Sequence, residues 1–134
     1  MAGRKRYSVI RDPVHGDVYL THEELRLLDT PEMQRLRGVK QLGTAYLVYP
    51  GALHTRFDHS IGSLHMAARM IESVNLSFEL DPAGCVGVSE EEARVIRITA
   101  LLHDITHIPF GHSIEDQDGI FGRHDRPERF ERNI

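Results

Sequence analysis

The stretch ALLHDITHIPFGH, residues 100–112, decides how this sequence is interpreted. It continues a helical pattern over residues 90–99 that begins with a capping box, because Ser89 and Glu92 can each satisfy a free backbone donor. Apolar residues lie on every side of this pattern, which is typical of a buried helix. We expect the helix to run up to Pro109, whose ring is incompatible with a helix interior.

Three polar side chains fall at the end of this predicted core helix. His103 and His107 share one helical face, and Asp104 lies beside them. Polar groups in a core must be paired or bind metal, and imidazole with carboxylate suits zinc, iron, manganese or nickel. The structural alternative is a histidine on the helix dipole, followed by an Asp that starts a turn. Four His or Asp residues within ten positions favour the metal.

A second segment, LHTRFDHSIG at residues 53–62, opens another helical pattern that we expect to end near Val74. One face of this helix is apolar, and the opposite face carries His59, Met66 and Met70, so we expect burial on two sides. Taken alone, His59 is better explained as a hydrogen-bonded core histidine than as a metal ligand.

Taken together, HTRFDHSIG and HDITHIPFGH resemble the HD-domain metal-dependent phosphohydrolases, closest to the deoxynucleoside triphosphate triphosphohydrolases. RDPVHGDVYL and DTPEMQRLRGVKQLGTAYLVYPGA share in this resemblance, which therefore covers nearly the whole chain. The family pattern is a His, a His-Asp pair and a distant Asp. The resemblance implies that His59, His103 and Asp104 bind one divalent ion, which could be Mn, Fe, Ni, Zn or Mg. The fourth protein ligand is expected beyond residue 134.

This sequence departs from the family pattern at two positions near the site. Thr106 stands where many members have Gly, and Gly111 where many have Ser. Neither position is a ligand.

The resemblance also implies substrate contacts. Arg56 would bind phosphate, which suits a bidentate guanidinium, while an ion pair with Asp58 or a nearby Glu is the alternative. Gln41 and Leu42 match positions that touch sugar and base, although a Gln at a helix end is often simply solvated.

Three further histidines are candidates for proton transfer or phosphate contact. His107 and His124 are the expected general acid or base, and His112 is an expected substrate contact. The other motif-matching residues, Asp29, Gln34 and Arg37, correspond to an activator-nucleotide site in some relatives, but a structural role explains them better.

Four histidines lie outside this context, and we interpret them as ordinary residues: His15, His22, His54 and His65.

The function implied by the resemblance is phosphoester hydrolysis by a metal-activated water. The substrate would be a nucleotide, with deoxynucleoside triphosphates as the first candidate, giving nucleoside and triphosphate. A non-catalytic nucleotide-binding or assembly module with an incomplete metal site is the alternative.

Length and composition limit the remaining possibilities. We expect one domain over residues 1–134, mainly α, with a small N-terminal hairpin from strands at 7–10 and 17–20. The net charge of −4 argues against general nucleic-acid binding. No apolar run approaches membrane-spanning length, and the single Cys85 suits a reducing cytoplasm. The chain stops without a helix stop signal, so we expect it to be the N-terminal part of a longer protein. We expect that longer protein to be a homo-oligomer.

Overall fold

The computed structural model describes residues 7–111, and the expected roles of His112 and His124 lie outside this range. Two strands, β1 Ser8–Asp12 and β2 Gly16–Leu20, precede two short helices, α1 His22–Leu28 and α2 Pro31–Gln34. Two 3₁₀ turns follow, at Arg35–Gly38 and Ala45–Leu47. The long helix α3, Arg56–Leu80, then packs against α4, Glu90–Leu102. The predicted mainly helical fold with an N-terminal hairpin is confirmed.

The hairpin is closed by the side chain of Asp12. Its Oδ1 accepts hydrogen bonds from the backbone N–H groups of Val14 and His15, both at 2.8 Å. Gly16 then adopts φ +76°, which a side chain would disfavour. The turn lies so close to α3 that a Cβ at Gly62 would be 3.1 Å from His15 Nε2. A glycine in the first half of α3 therefore allows the hairpin to lean on that helix, as an isolated hairpin must.

The core lies between the hairpin, the short helices, the N-terminal part of α3 and the C-terminal end of α4. Helix α2 ends after one turn and continues as the first 3₁₀ turn, and Met33 and Leu36 of this segment are buried. The buried cluster consists of Val18, Leu20, Leu28, Met33, Leu36, Phe57, Ile61, Leu64, Leu101 and Ile105.

Helix α3 is longer and more exposed than expected. It continues past Val74 to Leu80, and its buried residues all lie between Arg56 and Leu64. The predicted burial of Met66 and Met70 is wrong, because these side chains are 48% and 64% exposed. A 25-residue helix is about 38 Å long, and the hairpin and short helices cover only its N-terminal part.

Helix α4 is shorter than expected and is not buried on all sides. It begins with the predicted capping box but ends at Leu102, well before Pro109. Leu101 is its one buried residue within the described chain, while Val95 is 52% and Ile96 41% exposed. The apolar residues surround the helix, but α3 covers one face only.

Charge pairs join α4 to α1. Glu24 is 2% exposed and accepts hydrogen bonds from Arg97 Nε at 2.6 Å and Nη2 at 2.8 Å. Burial by itself raises the pKa of the Glu24 carboxyl, but Arg97 and the backbone N–H of Thr21 outweigh it and hold the pKa below its usual value.

Two local features lie between the main elements. The 3₁₀ turn Ala45–Leu47 precedes the segment that leads to α3. Thr30 precedes α2, and its hydroxyl donates to Leu27 O at 2.7 Å instead of capping the helix. No helix within residues 7–111 is long and apolar enough to cross a bilayer.

Leu64→Ala should lower the free energy of unfolding by about 2–5 kcal/mol, because the deleted atoms leave a cavity in the core. Leu64 is 0% exposed. Met70→Ala on the same helix should change it by less than about 0.5 kcal/mol. Urea unfolding of both variants checks this pair, and equal losses would contradict the assigned core.

Glu24 should make folding pH-dependent in the acid range. Its pKa is lower in the folded chain, so its contribution is present above the unfolded value of about 4.3 and disappears as the pH falls through the folded value. Glu24→Gln should therefore be less stable than the wild type at pH 7, with a difference that shrinks below about pH 4. A difference that grows on acidification would contradict this sign.

Candidate metal centre

Three side chains meet where the first turn of α3 faces the end of α4. His59 Nε2 and His103 Nε2 are 3.2 Å apart. Asp104 Oδ2 lies 3.7 Å from the first, and Asp104 Oδ1 lies 3.5 Å from the second. One donor atom from each residue can be chosen so that all three lie within 4.8 Å of one another. The structure thus brings together the three residues expected to bind metal.

These spacings fit a shared divalent ion. Donors about 2.1 Å from one ion are separated by about 3.0 Å at a right angle and about 3.4 Å at a tetrahedral angle. The observed separations of 3.2–3.7 Å lie at or slightly above that range. His103 Nδ1 lies 2.8 Å from Ala100 O, so an Nδ1–H donor leaves the Nε2 lone pair facing the centre.

The protonation states at neutral pH also suit a cation. Burial lowers the pKa of His59, an effect that Asp104 opposes and the charge of His103 reinforces. Burial would raise the pKa of Asp104, but the hydrogen bond from Arg56 and the nearby histidines outweigh it, so the pKa is lowered. The group therefore offers a neutral imidazole and a carboxylate at pH 7.

Asp104 is held by Arg56 from the N-terminal end of α3. The two residues are 4% exposed, and Arg56 Nη1 donates to Asp104 Oδ2 at 2.8 Å. The alternative pairing of Arg56 with Asp58 does not occur, because Asp58 completes the capping box of α3 with Thr55 at 2.7 Å. A buried ion pair next to two histidines makes this a charged site inside the protein.

The other expected functional residues lie at different distances from this centre. His107 is fully buried, with Nε2 3.7 Å from Asp104 Oδ1. Gln41 is linked to the centre through its backbone, since its carbonyl lies 3.4 Å from Arg56 Nη2. Leu42 follows it and is 54% exposed.

The residues that resemble an activator-nucleotide site make contacts with one another. Gln34 Nε2 donates to Leu28 O at 2.9 Å, and Arg37 Nε donates to Gln34 Oε1 at 2.8 Å. Arg37 also lies over the ring of Phe57, 3.6 Å from its centroid. These contacts support the structural interpretation of Gln34 and Arg37.

A cavity of about 780 Å³ opens beside His59 and contains histidines that were interpreted as ordinary. His15 and His54 share its wall with His59. His15 also stacks on His65, with ring centroids 4.9 Å apart. The spacing of these histidines in the sequence does not indicate that they lie together. His15 occurs in the motif RDPVHGDVYL and His54 in the motif HTRFDHSIG, at positions to which no role was assigned.

The chain belongs to the HD domain family, whose model matches residues 56–132. HD domains bind divalent metals, and membership supports a metal-dependent phosphohydrolase. The resemblance inferred from the sequence motifs is therefore confirmed.

The relatives are longer proteins. The chain is 46% identical over 119 residues to an uncharacterised protein of Methanocaldococcus jannaschii, covering 87% of this chain and 23% of that protein. It is 41% identical over 121 residues to human deoxynucleoside triphosphate triphosphohydrolase SAMHD1, covering 90% of this chain and 18% of that protein. A crystal structure of a hypothetical protein from Aquifex aeolicus matches with a TM-score of 0.73 and 37% identity, over 96% of this chain and 31% of that one. The chain thus spans about a fifth of the curated relatives' length.

A divalent ion should stabilise this chain through the three converging side chains. At ten times its dissociation constant, Mn²⁺ should add about 1.4 kcal/mol of stability, visible as a rise in Tm of about 5 °C. His59→Ala should remove this rise, whereas His22→Ala, an exposed histidine on α1, should keep it. We expect weak binding because the three ligands among the described residues leave the rest of the coordination shell to water. An equal rise in His59→Ala would place the ion elsewhere.

Proposed function

We propose that this chain carries the metal site of a phosphohydrolase acting on nucleotides, with deoxynucleoside triphosphates as the preferred substrate class. One observation carries the proposal: two imidazoles and a carboxylate converge within 4.8 Å of one another beside a buried arginine. The two histidine nitrogens are also at hydrogen-bond distance, 3.2 Å, so the approach of the Asp104 carboxylate to both rings is what supports a shared ion.

His59, His103 and Asp104 would hold the ion. When bound, a divalent ion lowers the pKa of a coordinated water and polarises a phosphoryl oxygen. The protein's part is to keep the His59 imidazole neutral and the Asp104 carboxylate ionised at pH 7, and the pKa directions of these two groups support this.

Arg56 would offset the negative charge of the phosphoryl group undergoing attack. Its guanidinium is already fixed against Asp104 at 2.8 Å, so no reorganisation is needed when charge develops nearby. His107 lies on the other side of the same carboxylate, 3.7 Å away, and would hold or transfer a proton there. His124 remains the alternative for that role and lies outside the described residues.

Several observations support a nucleotide substrate. The cavity of about 780 Å³ is within the usual range of small-ligand sites, and His59 is the residue of the centre that lines it within the described part of the chain. Arg56 Nη2 donates to the carbonyl of Gln41 at 3.4 Å, and Leu42 follows Gln41, so the residues that the resemblance matched to sugar and base contacts lie beside Arg56. The human relative is named for hydrolysis of deoxynucleoside triphosphates. Another phosphate ester is the competing substrate within the same chemistry.

The test is hydrolysis of deoxynucleoside triphosphates with Mn, Mg, Fe, Ni or Zn, followed by chromatography of nucleoside and triphosphate. It should be run on the 134-residue chain and on any longer protein that the gene encodes. His103→Ala should abolish turnover without unfolding the chain, while His22→Ala should keep it. Arg56→Ala should lower kcat by about 10²–10³, as for other charge-stabilising donors.

The non-catalytic alternative predicts a different outcome. A nucleotide-binding or assembly module would bind nucleotide but release no product with any of these metals. Normal turnover in His103→Ala would also exclude the proposed site.

A further inference from the structure

The turn that carries Asp104 and His107 is not supported by helical hydrogen bonds. Helix α4 ends at Leu102, and the next residues form single-turn bonds, from Ile105 N–H to Leu102 O and from His107 N–H to Asp104 O, each 3.0 Å. The carbonyl groups beyond a helix end need other partners, and a short turn gives little rigidity by itself.

Arg35 supplies two of these partners from a distant part of the chain. Its Nη1 donates to His107 O at 2.6 Å, and its Nη2 donates to Ile105 O. The separations along the chain are 72 and 70 residues. The planar guanidinium thus holds two carbonyls of the same turn at once, a geometry that the point charge of a lysine cannot reproduce.

The base of this side chain is itself fixed. Arg35 begins the 3₁₀ turn after α2, and its neighbours Met33 and Leu36 are 0% exposed in the core. The Arg35 guanidinium therefore connects the buried segment around Met33 and Leu36 to the turn that carries Asp104.

We infer that Arg35 is a positioning residue, which fixes the backbone of the turn and thereby the places of Asp104 and His107. The effect of Arg35 on metal binding rests on the proposed function. Its hydrogen bonds to the turn do not depend on that proposal. Arg56 holds the carboxylate of Asp104, whereas Arg35 holds backbone carbonyl groups of the turn that follows Asp104.

The sequence did not distinguish this arginine from its neighbours. Within DTPEMQRLR the resemblance singled out Arg37, and nothing in the spacing separates Arg35 from it. Only the fold brings residues 35 and 107 together.

The experiment compares backbone amide exchange in the 134-residue chain and its Arg35→Gln variant without added metal. Exchange at the Ile105 and His107 amides should become at least about tenfold faster, because their turn loses its clamp. Exchange at Leu64 in α3 should not change. Arg35→Lys should recover part of the protection, and Arg69→Ala, an exposed arginine on α3, should change nothing.

A Mn²⁺ titration of the same proteins, followed by the signal of free Mn²⁺, gives the second measurement. Arg35→Gln should weaken the affinity about tenfold, the lower end of losses for residues that support metal ligands. Unchanged exchange at Ile105 and His107, or an equal rise at Leu64, would overturn the positioning role. If the wild-type chain binds no Mn²⁺, the proposed metal site fails, while the exchange data still decide whether Arg35 holds the turn.

Discussion

The buried ion pair between Arg56 and Asp104 is the contact on which the site depends. Neither group can lose its partner cheaply, since an uncompensated buried charge typically costs about 3–5 kcal/mol. The pair joins the first turn of α3 to the turn after α4, 48 residues apart. His59 lies one helical turn after Arg56, and His103 directly precedes Asp104. The same contact therefore brings both histidines to their positions, before any metal is considered.

Under the proposed function, the pairing of Arg56 with Asp104 also predicts that a divalent ion and a phosphate group bind cooperatively. Arg56 and Asp104 cancel each other's charge, and burial favours the neutral form of His59. The site thus has little net negative charge with which to attract a divalent cation. A phosphate group would supply negative charge to both the cation and the arginine. Binding of either partner should therefore favour the other, which is a second reason to expect weak metal binding in the absence of phosphate.

Features that depend on nearby residues could be predicted from the sequence, and features that depend on distant ones could not. The capping box joins Ser89 to Glu92, three positions apart, and was predicted correctly. The exposure of Ile96 was not foreseen, because it depends on which face of α4 meets α3. The motifs indicated His59, His103 and Asp104, but neither the pairing of Arg56 with Asp104 nor its distance can be read from residues 48 positions apart.

The turn after α4 shows how contacts with distant residues determine the position of the functional side chains. A continuous helix to Pro109 would have fixed His107 through its own hydrogen bonds, whereas the observed turn relies on side chains from other elements. Thr106 lies in this turn and is 3% exposed. A β-branched residue has fewer accessible conformations than glycine, so Thr106 restricts the turn locally while Arg35 holds two of its carbonyl groups. The position of Asp104 therefore depends on the backbone of this turn as well as on the ion pair with Arg56.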